Sequence, residues 1–297
     1  MATLRELKVR IGSVASSEKI TGAMKMISSA KMHKAESALR RLVPFRSQIE
    51  TIIANLLSSD AVFSSPLVTP RTQVHNALVI VWGSDDGLCG AYNVNIYKQL
   101  VTHLGTLRQQ LGAEAAIHVM PVGKKMAKAC ARMRMTGVSM VQAPEGINSK
   151  SDGKPVTDFM LAVQGQFTAG DYDRVDVLYM RFLSAGKQRP QAQQLLPVLA
   201  EDFVRAGQNV QTGRPYLFEP NPNAIFNAVL PLYLMSVMQD IFTENSASEQ
   251  AARVMAMQAA NDNAHTLLDQ LQLEYNKLRQ QSITSELLDI VGGQVRD

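Results

Sequence analysis

The sequence predicts an α/β insert on a long antiparallel two-helix coiled coil formed by the N- and C-terminal helices. The first observation is that residues 232–291 contain no proline and no glycine. A single helix over those residues would be about 90 Å long, which is wider than most globular cores. The second observation is an alternating three-four spacing, which places one narrow stripe on this helix and calls for a partner helix. The stripe consists of Val254, Met257, Asn261, Ala264, Leu268, Leu271, Tyr275 and Leu278.

The beginning of the chain provides the predicted partner helix. Thr3 and Glu6 have the spacing of a capping box, which marks a helix start. The same three-four spacing follows regularly in Leu4, Leu7, Ile11 and Val14, and more loosely in Ile20, Met24 and Ile27. Residues 1–46 carry ten Lys or Arg against three acids, whereas residues 232–297 carry four against nine. Opposite charges favour pairing of the two helices with each other, and two separate surface helices are the alternative.

Between the two helices, alternating strand and helix patterns predict a mostly parallel sheet. We expect strands at residues 77–82, 116–122 and 174–183, helices at 94–111, 124–134 and 158–167, and an antiparallel strand at 191–199. Polar connectors are expected at residues 58–74 and 207–223. The predicted segments are an N-terminal coiled-coil helix at residues 1–57, a Rossmann-like insert at 75–206 and a C-terminal coiled-coil helix at 223–297.

Residues 83–93 form the stretch most like a ligand site, because they follow a predicted buried strand, precede a helix and contain three glycines. Phosphate-binding loops occupy this position in α/β folds. The glycine spacing fits neither the dinucleotide motif nor the P-loop, and a tight structural turn is the simpler interpretation. If Cys89 were a catalytic nucleophile, it would need a histidine as base. The spacing of the five histidines singles out none of them for this role. Asp85 and Asp86 as cation ligands would point in different directions.

Composition narrows the functional classes. Two cysteines make neither a disulfide framework nor a zinc quartet, and we expect no metal, no cofactor and no catalytic residue. No unbroken run of eighteen apolar residues occurs, so we expect no membrane-spanning segment. A nucleic-acid-binding coiled coil acting through Lys25, Lys31 and Lys34 is a further hypothesis. Because no aromatic residue precedes Phe45 for base stacking, we expect no nucleic-acid partner.

Three motifs resemble the gamma subunit of F-type ATP synthases. They are KITGAMKM at residues 19–26, SDDGLCGAYN at residues 84–93 and ITSELLDIVGG at residues 283–293. The last motif is the most specific, and AARVMAM at residues 251–257 is also similar to that family. The resemblance covers both long helices and the first loop of the insert.

The resemblance implies a rotating central shaft that is not itself an enzyme. In that family, the two chain ends form a coiled coil inside a hexamer of alternating alpha and beta subunits. The α/β body lies beside the epsilon subunit and the ring of c subunits, and rotation driven by an ion gradient forces the catalytic subunits through their states in sequence. The resemblance also implies a peripheral membrane protein at the cytoplasmic face of the bacterial plasma membrane.

By motif position, the resemblance implies that five residues meet or support the catalytic subunits. These residues are Met24, Arg253, Gln280, Thr284 and Glu286. Gly22 departs from the family pattern, in which lysine is common at this position. The alternative function is an α/β enzyme with a small-molecule site at residues 83–90 and with the long helices used for dimerisation.

Overall fold

Two long helices come from the two ends of the chain. Helix α1 spans Leu4–Leu57 and helix α5 spans Pro222–Gln294. The computed structural model describes residues 3–57, 63–151, 153–199 and 218–294, with side chains as far as Ile290. Residues 58–62 and 207–217 of the predicted connectors lie outside the described residues.

The predicted capping box begins α1. The backbone N–H of Thr3 donates to Glu6 Oε2 at 2.8 Å, and the N–H of Glu6 donates to Thr3 Oγ1 at 3.2 Å. The bond from Glu6 satisfies an N–H that the first turn leaves without a backbone acceptor. Pro44 lies inside α1 and Pro231 inside α5. Each proline removes one backbone hydrogen bond without ending its helix.

The insert contains a five-stranded sheet in the order β3-β2-β1-β4-β5. Its strands are β1 (Asn76–Trp82), β2 (Ala116–Val122), β3 (Val138–Met140), β4 (Arg174–Ser184) and β5 (Lys187–Leu196). Its helices are α2 (Tyr92–Leu111), α3 (Lys124–Cys130) and α4 (Lys154–Ala169). Only β5 is antiparallel to its neighbour, so the predicted mostly parallel sheet with an antiparallel return strand is confirmed.

Three details of the insert differ from the prediction. Strand β3 was not predicted, because three residues are too few to show a periodicity. Strand β5 begins earlier than predicted, because it continues directly from β4 as a hairpin. The helix predicted at residues 124–134 ends at Cys130. Beyond it, Arg132 N–H donates to Ala129 O and Met133 N–H to Cys130 O. These are 3₁₀-type turns, and Met133 is buried.

Strand β1 buries side chains on both faces of the sheet. Its even-numbered residues, such as Ile80, lie in an apolar cluster with α4 and with parts of α1 and α5. Its odd-numbered residues, such as Val79, lie in a second cluster with α2 and α3. Burial on both faces explains why β1 is a continuous apolar run rather than an alternating one.

The chain divides into two compact units. The first takes in the described residues up to Ser29 and from Arg253 onward, and the second runs from Ala30 to Ala252. The division into segments 1–57, 75–206 and 223–297 stays a prediction, because it describes stretches of sequence rather than compact units.

Within the first unit, α1 and α5 run antiparallel. Three side-chain pairs show the direction: Glu18 with His265 at 3.1 Å, Thr21 with Asn261 at 3.3 Å and Lys25 with Gln258 at 2.7 Å. Between the first and the last pair, the numbering rises by seven along α1 and falls by seven along α5. The predicted antiparallel pairing of the two chain ends is confirmed.

Helix α5 is also long and apolar enough to cross a membrane, judged by length and composition alone. Of its most apolar stretch of 18 residues, 56% is buried within the protein. The core helix of a protein outside a membrane meets the same criterion of length and composition. A helix can therefore meet this criterion without an unbroken apolar run. The absence of a membrane-spanning segment stays a prediction.

Candidate functional site

The glycine-containing loop after β1 is held together by its own side chains. A Cβ on Gly83 would lie 2.4 Å from Met126 Cβ, so this glycine allows β1 to pass close to α3. The N–H of Ser84 donates to Asn93 Oδ1 at 3.1 Å, and Asn93 Nδ2 donates to Ser84 Oγ at 2.7 Å. These contacts give the loop a structural role as a turn between β1 and α2.

Asp85 and Asp86 have different surroundings. The carboxylate of Asp85 accepts hydrogen bonds from the N–H of Lys124 and from the N–H and hydroxyl of Ser149, each at 2.9 Å. Both of its oxygens are therefore used to join separate segments of the insert. Asp86 is exposed and forms an ion pair with Lys150 at 2.8 Å. The two carboxylates do not converge as ligands of one cation would.

Both cysteines are buried. Cys89 Sγ lies 3.5 Å from Asn93 Nδ2 and 3.7 Å from Ser84 Oγ. Burial raises the pKa of the Cys130 thiol to about 11, so this group stays protonated at neutral pH. Neither cysteine has the exposure of a reactive thiolate. Among the residues that the structure describes, no group of three or more His, Cys, Asp or Glu could hold a metal ion.

The middle of the α1–α5 pair is polar. Beyond Val14, the side of α1 that is not exposed passes through Glu18, Thr21, Lys25 and Ser28. Ile20 and Ile27, which we expected on this side, are 60% and 56% exposed. That expectation was wrong because the three-four spacing counted onward from Val14 reaches Glu18 and Thr21. A three-four spacing followed from Val14 without regard to polarity would have identified Glu18, Thr21, Lys25 and Ser28 from the sequence.

The polar residues of α1 meet polar residues of α5. Lys25 Nζ donates to Gln258 Oε1, and Gln258 Nε2 donates to Asp262 Oδ1, both at 2.7 Å. A Cβ on Gly22 would lie 3.2 Å from Asn261 Oδ1, so Gly22 lies directly against the partner helix. We call the following residues the polar seam: Glu18, Thr21, Lys25, Gln258, Asn261 and His265.

The end of α5 extends past its partner helix. In the register of the three pairs, the beginning of α1 lies level with residue 279, so residues 280–290 have no described α1 residue opposite them. Ile283, Leu287 and Ile290 recur at four and three positions, which places them on one face of the helix. They are 46%, 58% and 62% exposed. We call these three residues the terminal stripe, and an exposed apolar row of this kind is typical of a partner-binding surface.

The five predicted contact residues fall into two places. Gln280, Thr284 and Glu286 are exposed on the last turns of α5, next to the terminal stripe. Thr284 Oγ1 donates to the carbonyl oxygen of Gln280 at 2.9 Å. Met24 is half-buried on α1, and Arg253 is only 6% exposed. The structure does not bring Met24 or Arg253 to the terminal stripe, and the roles of all five residues stay predictions.

In the second unit, a largely buried ionic cluster joins α1 to α5. Arg46 contacts Glu50 at 2.7 Å and Asp240 at 3.1 Å. Burial raises the pKa of Asp240, although the hydrogen bond and charge of Arg46 oppose the shift. Burial also raises the pKa of Glu244, against the charge of Arg181. Among the described residues, Asp240 Oδ1 and Glu244 Oε2 are buried without a hydrogen-bond partner.

Known proteins resemble this chain over its whole length. A family model described as ATP synthase matches residues 3–295. The ATP synthase gamma chain of Bacteroides thetaiotaomicron is 36% identical over 304 residues, which cover 100% of both chains. The ATP synthase gamma chain of Bacteroides fragilis is 37% identical over 300 residues, and that of Nitrosomonas eutropha is 33% identical over 297 residues, each covering 99% of both chains.

Solved structures show the same fold. A chain of the Euglena gracilis mitochondrial ATP synthase assembly of OSCP, F1 and c-ring aligns with a TM-score of 0.62 at 19% identity, covering 98% of this chain and 93% of its own. A chain of the Tetrahymena thermophila mitochondrial ATP synthase central stalk and c-ring aligns with a TM-score of 0.53 at 25% identity, covering 81% and 99%. The resemblance inferred from three short motifs is thus confirmed, and the chain belongs to the ATP synthase gamma-chain family.

Proposed function

We infer that this chain is the central rotating shaft of a rotary ATP synthase and couples ring rotation in the membrane to sequential conformational change in a catalytic hexamer. Membership of the gamma-chain family over the whole chain supports this role. The observation that supports a shaft is the antiparallel pair of chain ends. Helix α5 continues past this pair as an exposed helix with an apolar stripe. Such an end suits insertion into a sleeve formed by other subunits.

The polar seam suits a part that must carry torque. A neutral hydrogen bond such as Thr21 with Asn261 contributes only about 0.5 to 1.5 kcal/mol net, and one to a charged group such as Lys25 about 1.5 to 3 kcal/mol. The two helices can therefore adjust locally at modest cost. Buried apolar residues such as Leu7, Leu271 and Met257 hold the same helices together. The pair therefore keeps its register while its polar middle tolerates twisting.

The terminal stripe is the part that we assign to the catalytic subunits. Ile283, Leu287 and Ile290 present apolar contact to the alpha and beta subunits, while Thr284 and Glu286 add polar contacts beside them. Gln280 begins this surface. Met24 and Arg253 support it from further along the helix pair rather than from within the same patch.

The remaining partners follow from the same proposal. The α/β insert contacts the epsilon subunit and the c-ring, and the chain acts as a peripheral membrane protein at the cytoplasmic face of the bacterial plasma membrane. The Tetrahymena chain of similar fold comes from a central stalk and c-ring assembly, which supports this placement. Nucleotide chemistry belongs to the alpha and beta subunits, and this chain contributes no catalytic group of its own.

The test uses a chain that lacks residues 283–297. This chain is reconstituted with the alpha, beta and epsilon subunits and the c-ring in proteoliposomes. The paired part of α5 ends before residue 280, so we expect the truncated chain to fold. Circular dichroism measures this. Loss of the terminal stripe lowers ATP synthesis driven by an ion gradient several-fold. Synthesis at the level of the full chain would overturn the assignment of the stripe.

The exposed neighbour Gln281 provides the matched control, and Gln281→Ala leaves ATP synthesis unchanged. The enzyme alternative is tested with the purified chain alone. Nucleotide turnover by that chain, abolished by Gly87→Val, would favour a catalytic site at residues 83–90 over the shaft.

A further inference from the structure

The two edges of the five-stranded sheet differ in how they are protected. The β5 edge carries Lys187, Arg189 and Pro190, which are residue types that discourage the addition of another strand. The β3 edge consists of Val138, Ser139 and Met140 and contains neither a charged residue nor a proline. Of the two edges, and among the residues that the structure describes, the β3 edge is therefore the one open to strand pairing.

The backbone of β3 presents hydrogen-bonding groups on its outer side. The N–H of Ile117 donates to Gly137 O at 3.1 Å, and the N–H of Val141 donates to Val119 O at 2.9 Å. In a parallel pair, alternate residues of a strand bond a given neighbour. The N–H and C=O of Met140 therefore point away from β2, where an added strand would lie.

A cavity of mixed polar and apolar lining adjoins this edge. Its volume is about 510 Å³. Three methionines, Met133, Met135 and Met140, line it together with Ala131, Arg134, Thr136 and Val138. Met140 and Arg134 are exposed. Methionine side chains adapt to apolar partners of varied shape, so the cavity can accept side chains from an added strand.

The stretch of chain that leads into this edge is strongly basic, and Arg134 in it lines the cavity. Residues 123–144 contain five cationic residues and no acid: Lys124, Lys125, Lys128, Arg132 and Arg134, all of them exposed. Arg134 Nη1 donates to the carbonyl oxygens of Ala131 and Met133 at 3.4 and 3.3 Å. A guanidinium has five N–H donors in all, so its Nε and Nη2 groups can still bind a carboxylate.

We propose that the β3 edge binds an extended acidic segment of a partner protein as an added strand. Alternate apolar side chains of that segment occupy the methionine-lined cavity, and its carboxylates face the cations of α3 and the following turn. The basic surface selects an acidic partner, while the free backbone edge selects an extended one. None of the residues of this surface belongs to the polar seam or to the terminal stripe.

The test titrates the full chain with a fluorescent peptide of alternating valine and glutamate. The matched peptides alternate valine with lysine, or proline with glutamate, so that the first reverses the charge and the second cannot pair as a strand. We expect the valine–glutamate peptide to bind at least about tenfold more tightly than either, a difference of about 1.4 kcal/mol. Its binding weakens as salt rises, because charges at an exposed surface are screened.

Two variants of the chain, each with a matched control variant, locate the peptide-binding surface. Met140→Pro removes the outward N–H, while Met140→Leu keeps it. Reversal of both charges in Arg132→Glu/Arg134→Glu is matched by Lys187→Glu/Arg189→Glu on the opposite edge. Met140→Pro and the first double variant weaken binding at least about tenfold, whereas the two controls bind like the unaltered chain.

Several outcomes would overturn the proposal. They are absence of binding, equal binding of the three peptides, and peptide binding that survives the Arg132→Glu/Arg134→Glu change. Binding of phosphatidylglycerol vesicles without binding of the acidic peptide would assign the surface to lipid instead. Circular dichroism checks that each variant is folded, and the charge-reversed pair decides the matter if Met140→Pro does not fold.

Discussion

Single glycines in α1 differ in what surrounds them. Both Gly12 and Gly22 lie inside the helix, where glycine costs stability relative to alanine. A Cβ on Gly12 would meet nothing within 4 Å, whereas one on Gly22 would lie 3.2 Å from Asn261 Oδ1. Thr21 Oγ1 also lies 3.3 Å from that oxygen, which limits how far Asn261 can move. Gly22 thus allows the polar seam to pack closely.

We expect Gly12→Ala to raise the free energy of unfolding by about 0.5 to 1 kcal/mol, because alanine is the better helix former. Gly22→Ala should gain less, because its Cβ crowds Asn261. Urea unfolding followed by far-UV circular dichroism measures both changes. In an Asn261→Ala background the crowding is gone, and the two alanine substitutions should then gain equally. Equal gains in the unaltered chain would contradict the packing role of Gly22.

At the scale of elements, α1 and α5 are joined by polar groups in both compact units. In the first unit these are the three side-chain pairs of the polar seam. In the second they are the ions Arg46, Glu50 and Asp240, which lie with Glu244 where burial disfavours charge. The second group therefore links the packing of these helices to pH.

The pH dependence has a definite sign for Glu244. Burial raises its pKa above the usual 4.5, so the folded chain holds this proton more tightly than the unfolded chain does. Its contribution to stability is greatest below pH 4.5 and falls as the pH rises through the raised pKa. Chemical denaturation at a series of pH values should show a flatter profile for Glu244→Gln over this window.

Exposed Glu114 provides the control for this measurement. Glu114→Gln removes one carboxyl group from an exposed position, and its pH profile of the free energy of unfolding is measured beside that of Glu244→Gln. Asp240 and Arg46 interact with the charge of Glu244, so the difference between the profiles includes the effect of Glu244 on these two groups. A profile for Glu244→Gln that matches the unaltered chain would show that burial of this carboxyl group has no effect on stability.

At the scale of the whole molecule, local stability should follow helix pairing. Residues 258–271 of α5 have α1 alongside them, whereas residues 280–290 continue past the beginning of α1. Backbone hydrogen bonds with few buried neighbours open more readily. The two stretches of this one helix should therefore differ in protection.

We expect amide hydrogens of residues 280–290 to exchange at least about tenfold faster than those of residues 258–271 in the isolated chain, because no described residue of α1 lies opposite them. Hydrogen exchange read by mass spectrometry measures this ratio. Assembly with the alpha and beta subunits should slow exchange at residues 280–290, while α2, which lies in the insert, should change little. Unchanged exchange at residues 280–290 on assembly would contradict a partner-binding role for the terminal stripe.

Local pattern was enough to predict much of the fold. The three-four stripe on α5 found positions that are all buried or half-buried, from Val254 to Leu278. Apolar runs predicted β1 and β2 close to their observed bounds, and the capping box predicted the start of α1. These features depend on residues close together in sequence, so periodicity and end signals reveal them directly.

Partners distant in sequence were decided only by the tertiary structure. Thr21 and Asn261 are 240 positions apart, and their contact depends on the register of two helices, which no local pattern specifies. The burial of Arg253 and the use of both Asp85 oxygens by distant backbone groups are of the same kind. Periodicity gives the face of a helix that is buried, but the geometry of the folded chain selects the polar group that each side chain meets there.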